Sequence, residues 1–457
     1  MPPKESDSLL DNGKPGVYYD GSAAVPVESG DDKPKTGFRN LVLAATAVFV
    51  ALVVVVVGKH LAFHSDSELG KKLRAKVHSM AEDVAAETEP IPPKLNGSGN
   101  YSLIEAHTGE SFFDYYTFFD GPDSLGSAGY NTYVSREKAE SLGIAKVVTA
   151  DDGTDYVELS SKAGAAYDDW GNRLRDSVRL EGKLRFNDGL FILDVLEMPS
   201  GCGLWPAFWS TDGEVWPDHG EIDIVEPVNT QTIAKTILHT REQCDMYAHV
   251  PRWMWTGHWD SSTGLPEFST GIPDYDTKLE TDNCYVASPH QWLNQGCAAV
   301  HPERIVLGAP MNARGGGVYA MEWDPAAGFI RTWVFPRSDG FPDNLREALD
   351  GGGEGTIRPD PSEWPTPYAF FPIGPGTGCS RDHFQNHNLI INLAICGTVA
   401  GNRFANDCPD LFQKYNVNND SVATCNAYVD SDEARSMLDE TAKWKIKGVY
   451  VYQRDEE

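Results

Sequence analysis

HGEIDIVEPVN, residues 219–229, alternates acidic and apolar side chains in the way that a half-buried β-strand does. On such a strand Glu221 and Asp223 face one side, while Ile222 and Ile224 face the other. Glu226 would point away from Glu221 on a regular strand. One β-bulge near Ile224–Val225 returns it to the face of Glu221, so the segment predicts three acids on one side of a bent strand.

This spacing indicates a pair of catalytic carboxyl groups. With the bulge, the backbones of Glu221 and Glu226 lie ~13 Å apart, and side chains leaning inward bring their carboxyl groups to about 5 Å. The two catalytic carboxyl groups lie ~5–5.5 Å apart in retaining glycosidases and ~6.5–9.5 Å apart in inverting ones, so the spacing favours retention. Like charges raise each other's pKa, so one of the two glutamates should keep its proton near neutral pH. Asp223 can hold Glu221 by a hydrogen bond. An acidic strand on a solvated surface, or a cation site, is the alternative interpretation.

Tryptophans crowd just upstream of this strand, at Trp205, Trp209 and Trp216. Sugar rings stack their apolar C–H faces on aromatic rings, so tryptophans beside paired acids favour a saccharide-binding cleft. Each of them could equally be an ordinary core residue.

The chain from residue 101 onward consists of short β-rich runs broken by Gly, Pro, Asn and Asp, and it has no internal repeat. This texture predicts an all-β fold, an antiparallel sandwich. The clearest runs are GLFILDVLEM (189–198), GVYAMEW (317–323), LIINLAI (389–395) and WKIKGVYVYQ (444–453).

The preceding hundred residues predict a membrane anchor. Residues 1–40 are polar and should form a disordered cytosolic tail. Residues 41–57 carry no charge and would span ~25 Å as a helix, so we place a transmembrane signal-anchor at 41–63 rather than a cleaved signal or a buried core helix. Residues 64–100 are expected to form a stalk and linker, and 101–457 a catalytic domain.

Cysteines and glycosylation sequons indicate the orientation, because the basic residues flanking the anchor are ambiguous. All eight cysteines follow residue 200, which fits disulfides in an oxidising compartment, with their connectivity open. Sequons lie at Asn96, Asn100 and Asn419. We therefore expect a single-pass type II membrane protein with its catalytic domain extracellular or lumenal.

Net charge and cysteine spacing exclude two classes of partner. A formal net charge of −29 excludes a nucleic-acid partner, which needs a basic surface. No cysteine pair has the C-x-x-C spacing of a zinc site, so metal binding is not expected and no metal ligands are assigned.

The segments GCGLWPAFW (201–209) and WPDHGEIDIVEPVN (216–229) resemble the signature of glycoside hydrolase family 16, in its laminarinase-like branch, and most closely the fungal-type endo-1,3(4)-β-glucanases. The likeness covers most of residues 101–453, through ILHT (237–240), residues 317–337, HNLIINLAICG (387–397) and residues 444–453. It implies a β-jelly-roll of two antiparallel sheets with a concave substrate cleft. No cofactor is required, and the fold leaves room for a structural calcium ion.

The resemblance also implies residue roles. Glu221 would be the nucleophile, Asp223 the assisting acid and Glu226 the acid/base. Trp209 and Trp216 would border the sugar at the cleavage point, His239 would lie across the cleft, and Arg179 would contact sugar further along. The N-terminal anchor and the acidic, Gly-rich stretches at 260–283 and 338–360 depart from the family pattern, so the linkage preference stays open.

The sequence thus predicts a retaining endo-β-glucanase that hydrolyses β-1,3- or mixed β-1,3/1,4-glucan through a covalent glycosyl-enzyme. A cell-wall glucan transglycosylase would use the same residues. A non-catalytic β-glucan-binding receptor is disfavoured because both glutamates are present, and a purely structural membrane protein is disfavoured further. The oligomeric state stays open.

Overall fold

The computed structural model describes residues 101–455, apart from 124–126, 168–172, 247–249, 252, 263–264, 267–272, 275–278, 290 and 352–357. The predicted cytosolic tail, the anchor at 41–63 and the stalk lie outside the described residues. Within the described ranges, no helix has both the length and the apolar character needed to cross a bilayer.

Strands dominate the described chain. In chain order they are β1 (Tyr101–His107), β2 (Tyr116–Phe118), β3 (Gly121–Pro122), β4 (Asn131–Tyr133), β5 (Ala145–Thr149), β6 (Asp155–Ser160), β7 (Lys162–Tyr167), β8 (Arg173–Ser177), β9 (Arg179–Gly182), β10 (Gly189–Glu197), β11 (Leu204–Thr211), β12 (Glu221–Val225), β13 (Lys235–His239), β14 (His258–Trp259), β15 (Ser261–Ser262), β16 (Leu265–Pro266), β17 (Pro273–Asp274), β18 (Leu279–Glu280), β19 (Cys297–Val300), β20 (Gly317–Asp324), β21 (Phe329–Pro336), β22 (Ala369–Pro372), β23 (Asn388–Ile395) and β24 (Lys443–Arg454).

Two eight-stranded sheets form the body of the fold. We call them the β24 sheet, ordered β22-β21-β20-β10-β24-β6-β5 with β1 also paired to β24, and the β12 sheet, ordered β14-β19-β13-β12-β11-β23-β9-β2. Every pairing described within these two sheets is antiparallel, as predicted. A smaller four-stranded sheet, ordered β3-β4-β8-β7, contains the parallel pair β4–β8.

The core lies between the two large sheets. Alternate residues of β12 and its neighbour β11, among them Ile222, Ile224 and Phe208, belong to the same buried cluster as Phe191 and Leu193 of β10. Burying one such side chain contributes roughly 1.5–3 kcal/mol. Because strand side chains alternate, packing this apolar set inward turns Glu221 and Asp223 to the other face of the β12 sheet.

Helices occupy the connections between strands and one segment that the sequence analysis did not predict, Asn402–Thr441. The α-helices are Arg136–Leu142, Gly308–Ala313, Asp343–Asp350, Asn402–Asp407, Pro409–Tyr415, Ser421–Val429 and Asp432–Thr441, with 3₁₀ turns at Gly109–Tyr115, Arg337–Asp339, Pro361–Glu363 and Arg381–His383 and a π turn at Gly397–Gly401.

Side-chain caps start the last two helices of this segment. Asp420 accepts a hydrogen bond from the Ala423 N–H, and Ser431 accepts one from the Ala434 N–H. The predicted all-β fold is confirmed for the two large sheets, and the helical segment is an addition to them.

All eight cysteines are paired, as the predicted disulfides require. Cys202–Cys408 and Cys396–Cys425 tie the helical segment to the ends of β11 and β23. The other two bonds are Cys244–Cys379 and Cys284–Cys297.

Candidate active site

The central strand of the site, β12, contains the predicted bulge. Trp209 on β11 pairs with Asp223, but the preceding residue Phe208 pairs with Val225, so Ile224 is the extra residue. On the other side Glu221 pairs directly with His239 of β13. The bulge changes which side of the sheet the following residues face, which lets Glu226 return to the side of Glu221.

An indole and an imidazole lie beside Glu221 and Asp223. The Trp216 indole Nε1 donates a 2.7 Å hydrogen bond to Oε2 of Glu221. His239 Nε2 lies 3.1 Å from Oδ2 of Asp223 and 4.0 Å from Oε1 of Glu221. His239 is thus a neighbour of both acids, and the direct hydrogen bond between Asp223 and Glu221 stays a prediction.

His239 itself is closely confined. Its Nδ1 is buried and has no hydrogen-bond partner among the described residues. Gly296 lies against the ring, where a Cβ atom would be only 2.9 Å from Nδ1. Nε2 faces the Asp223 carboxyl group and Nδ1 faces no acceptor among the described residues, so the geometry assigns the N–H that contacts Asp223 to Nε2.

Glu226 has its own tryptophan. Trp205, the second residue of β11, donates a 2.6 Å hydrogen bond from its Nε1 to Oε1 of Glu226. Each of the two glutamates is thus oriented by an indole N–H, and each indole ring lies beside a carboxyl group. That is the arrangement a sugar needs if it is to stack on an aromatic face while an acid contacts its glycosidic bond.

Burial dominates the electrostatics of the three acids. It raises the pKa of Glu221 to about 8, with repulsion from Asp223 adding to the effect, and it raises the pKa of Asp223 to about 8. For Glu226, burial and then repulsion from Asp223 raise the pKa to about 7, against the opposing hydrogen bond from Trp205. The three carboxyl groups therefore do not all ionise at neutral pH, and a proton is retained among them.

Trp209 and Arg179 form a second group beside these acids. The Trp209 Nε1 donates a 2.9 Å hydrogen bond to Oδ1 of Asn392, whose Nδ2 donates at 3.1 Å to the Tyr133 hydroxyl. The Arg179 guanidinium lies 5.2 Å from the Trp209 ring and 5.3 Å from the Phe119 ring. Aromatic faces and a cation side by side suit a polyhydroxylated ligand.

Sequence reasoning brought together Trp205, Trp209, Trp216, His239 and Arg179 around the acids, and the structure places all of them on this side of the β12 sheet or at its rim. The sequence analysis did not identify Asn392, Tyr133 and Phe119 as part of this site. The available signal was Asn392 itself, a buried amide in the apolar run LIINLAI of β23.

A cation could also be held here. Glu221, Asp223 and His239 each present a ligand atom, and these atoms lie within 4.8 Å of one another. One Glu221 oxygen already accepts from Trp216, and His239 already contacts Asp223. Two acids and an imidazole with open sides therefore fit either a metal or acid–base chemistry, and the tryptophan donors favour the second.

Known proteins decide the family. The model of the XgeA-like catalytic domain of glycoside hydrolase family 16 matches residues 116–452. The chain belongs to glycoside hydrolase family 16. Within this family it is 34% identical, over 361 residues, to a probable endo-1,3(4)-beta-glucanase of Aspergillus fumigatus, covering 78% of this chain and 46% of that relative. The chain thus spans about half the length of the curated relatives it matches first.

Two solved family 16 structures share the fold. An elongating family 16 beta-1,3-glucosyltransferase is 31% identical with a TM-score of 0.58, covering 77% of this chain and all (100%) of that chain. Laminarinase 16A from Phanerochaete chrysosporium, solved with beta-glucans in its donor and acceptor sites, is 30% identical with a TM-score of 0.59 and covers 78% and 100% of the two chains. The predicted jelly-roll is confirmed.

Proposed function

We propose that this chain is a retaining endo-β-glucanase that hydrolyses β-1,3- or mixed β-1,3/1,4-glucan. The observation that carries the proposal is the pair Glu221 and Glu226, each held by an indole N–H on either side of a bulge, with Asp223 between them. The relatives named as endo-1,3(4)-beta-glucanases support β-glucan as the substrate class.

In the first step Glu226 gives its proton to the glycosidic oxygen while a Glu221 carboxylate oxygen attacks the anomeric carbon. The C–O bond to the leaving glucan breaks as the bond to Glu221 forms, so the anomeric centre is inverted once. The Trp216 N–H and His239 stabilise negative charge on the Glu221–Asp223 side. Burial, with repulsion from Asp223, raises the pKa of Glu226 to about 7, and the reactive form of the site carries the shared proton on Glu226 and the charge on Glu221.

In the second step Glu226, now a carboxylate, takes a proton from water as that water attacks the anomeric carbon. The ester bond to Glu221 breaks, its oxygen regains the charge, and the second inversion gives net retention. Trp205 donates to Glu226 in this charged form, so the same indole orients the residue in both of its roles.

Substrate class is tested by incubating the purified protein with laminarin, lichenan and cellulose, followed by linkage analysis of the products. We expect oligosaccharides from laminarin or lichenan and none from cellulose. Release of sugar from cellulose alone, or from none of the three, would contradict the proposal.

A second candidate, glucan transglycosylation, is favoured by the likeness to the beta-1,3-glucosyltransferase structure. Acceptor identity distinguishes the two reactions, since the glycosyl-enzyme is passed to a sugar hydroxyl instead of water. A reducing-end-labelled laminari-oligosaccharide gives only shorter labelled products under hydrolysis, and longer labelled products under transfer.

We also propose that the catalytic domain lies outside the cytosol, in a type II protein anchored by residues 41–63. The four disulfides support an oxidising compartment, and Asn419 is exposed where a glycan could be attached. Protection of the domain from external or lumenal protease, together with absence of glycan at Asn96, Asn100 and Asn419, would contradict this orientation.

A further inference from the structure

Asn229 closes the segment that carries Glu226, three residues further along the chain. Its side chain is only 1% exposed and its φ is +53°, a left-handed conformation that Asn and Gly adopt with little strain. Its main chain also joins β11, because the Asn229 N–H donates to the Leu204 carbonyl at 2.9 Å. Trp205, the donor to Glu226, is the next residue after Leu204.

The buried amide of Asn229 makes three hydrogen bonds. Its Oδ1 accepts from the Gly203 N–H at 2.8 Å, and its Nδ2 donates to the Ala400 carbonyl at 3.0 Å and to the Asp407 carboxylate at 3.1 Å. Three separate parts of the chain therefore meet at one side chain: the start of β11, the turn after β23 and the helical segment.

A disulfide reinforces the same junction. Asp407 precedes Cys408, which is bonded to Cys202, and Cys202 precedes Gly203. The amide and the disulfide thus join the start of β11 to the helical segment at the adjacent residues Gly203 and Cys202. None of these contacts touches Glu226, so Asn229 can act on Glu226 only through the backbone and through Trp205.

We propose that Asn229 is a positioning residue, which keeps Glu226 and its donor Trp205 in register for proton transfer. The inference rests on the proposed role of Glu226 as the acid/base. A proton donor must lie within hydrogen-bonding distance of the leaving oxygen, so a small displacement weakens proton transfer while leaving attack by Glu221 in place.

The test is Asn229→Gly, which keeps the left-handed backbone and removes the amide. Asn418→Gly is the matched control, because Asn418 also has a left-handed φ, +51°, but is exposed and distant in sequence from the catalytic strand. Values of kcat/KM are measured on laminarin and on a dinitrophenyl β-laminaribioside, whose leaving group needs no proton. Both are normalised to the folded fraction.

We expect kcat/KM on laminarin to fall by about 10–10²-fold, within the range of general acid catalysis, and kcat/KM on the dinitrophenyl substrate to stay within about 3-fold. The hydrogen bond from Trp205 lowers the pKa of Glu226, so weakening that bond should raise this pKa. The upper limb of the pH profile on laminarin should therefore move to higher pH. Asn418→Gly should change neither substrate nor profile.

Equal losses on both substrates with an unmoved pH profile would reduce Asn229 to a structural residue, and unchanged activity on laminarin would remove it from the mechanism. If the glycine variant does not fold, Asn229→Asp, which keeps the acceptor for the Gly203 N–H, is measured with the same expected outcomes. Full activity of Glu221→Ala would instead overturn the proposed function, so the two failures are separate observations.

Discussion

The molecule buries acids on both of its large sheets but treats them in opposite ways. On the β24 sheet Glu322 is fully buried and accepts hydrogen bonds from the Tyr101 hydroxyl at 2.6 Å, Arg331 Nε at 2.5 Å and Arg454 Nη2 at 3.3 Å. Arg454 also lies 2.6 Å from Asp324. Arginines thus lie beside the Glu322 carboxylate. Because Tyr101 is on the first described strand and Arg454 on the last, their contacts with Glu322 bring these two strands together.

On the β12 sheet two indole N–H groups and one imidazole lie beside Glu221, Asp223 and Glu226. Among the described residues, His239 is their one ion-pairing partner within 4.0 Å. In the part of the chain that the structure describes no arginine forms an ion pair with these acids, and burial raises the pKa of all three. The difference teaches that a compensated buried acid stabilises the fold, whereas an uncompensated one retains a proton and can do chemistry.

The largest expected difference between the acids of the β12 sheet and Glu322 of the β24 sheet is in activity. Glu221→Ala removes the nucleophile, so activity on laminarin should fall by about 10³-fold or more, and azide should restore turnover as the α-glycosyl azide. Glu322→Gln should leave the activity per folded molecule within about 3-fold, because it touches only the structural group. Comparable losses for both would erase the distinction.

Glu226→Ala should come next. We expect kcat/KM on laminarin to fall by about 10²–10⁴-fold, while an activated aryl glycoside is largely spared and azide yields the β-product. If azide instead gave the α-product with this variant, and the β-product with Glu221→Ala, the two roles would be exchanged.

Asp223→Asn should have a smaller effect, about 10–10³-fold on kcat/KM, without loss of folding. Repulsion from Asp223 raises the pKa of Glu226, so its removal should lower that pKa and move the upper limb of the pH–rate profile to lower pH. The profile is measured on laminarin. Full activity with an unmoved limb would leave a site of two acids.

Stability should change in opposite directions in the two groups. The pKa of Glu221 is raised from 4.5 to about 8 by folding, so its carboxyl favours the folded state below pH 4.5 and loses that contribution as the pH rises to about 8. Glu221→Gln removes this loss, and the variant should be about 1–3 kcal/mol more stable than the wild type at pH 8, with little difference at pH 5.

Glu322→Gln should instead destabilise the protein by about 3–5 kcal/mol at both pH values, since it leaves two arginines without their shared counter-charge. Urea unfolding midpoints at pH 5 and pH 8 measure both variants. A Glu221→Gln variant that is less stable than the wild type at pH 8 would show that its carboxylate is compensated after all.

The smallest expected effect concerns metals. If the Glu221, Asp223 and His239 group works as acids and not as ligands, EDTA treatment followed by dialysis should change activity by less than about 2-fold. Loss of activity that Ca²⁺ or Zn²⁺ restores would assign a cation to this group.

Local pattern predicted what depends on strand periodicity. The alternation in residues 219–229, and the fact that Glu226 would face away from Glu221 on a regular strand, predicted a bulge near Ile224–Val225, and the structure has it at Ile224. The local pattern could not predict contacts between residues that are far apart in the chain. The hydrogen bonds of Trp209 to Asn392, and of Asn392 to Tyr133, join three strands that only the folded sheets bring together.

The helical segment escaped prediction for another reason. Its helices are 6–10 residues long, and the last two begin with a capping side chain while the first two do not, so they present too few turns for a clear apolar period. Their stability comes from packing and from Cys202–Cys408 and Cys396–Cys425, whose pairing cannot be read from spacing. The predictions for residues 1–100 stay predictions.

The most direct measurement of the central claim is covalent trapping. A 2-deoxy-2-fluoro-β-laminaribiosyl fluoride reacts quickly in the first step and slowly in the second, so the glycosyl-enzyme accumulates for peptide mass spectrometry. The account predicts one fluoroglycosyl group on the peptide that contains residues 219–229, bonded to Glu221, and its absence in Glu221→Ala. An unlabelled active enzyme, or a label on Glu226, would contradict it.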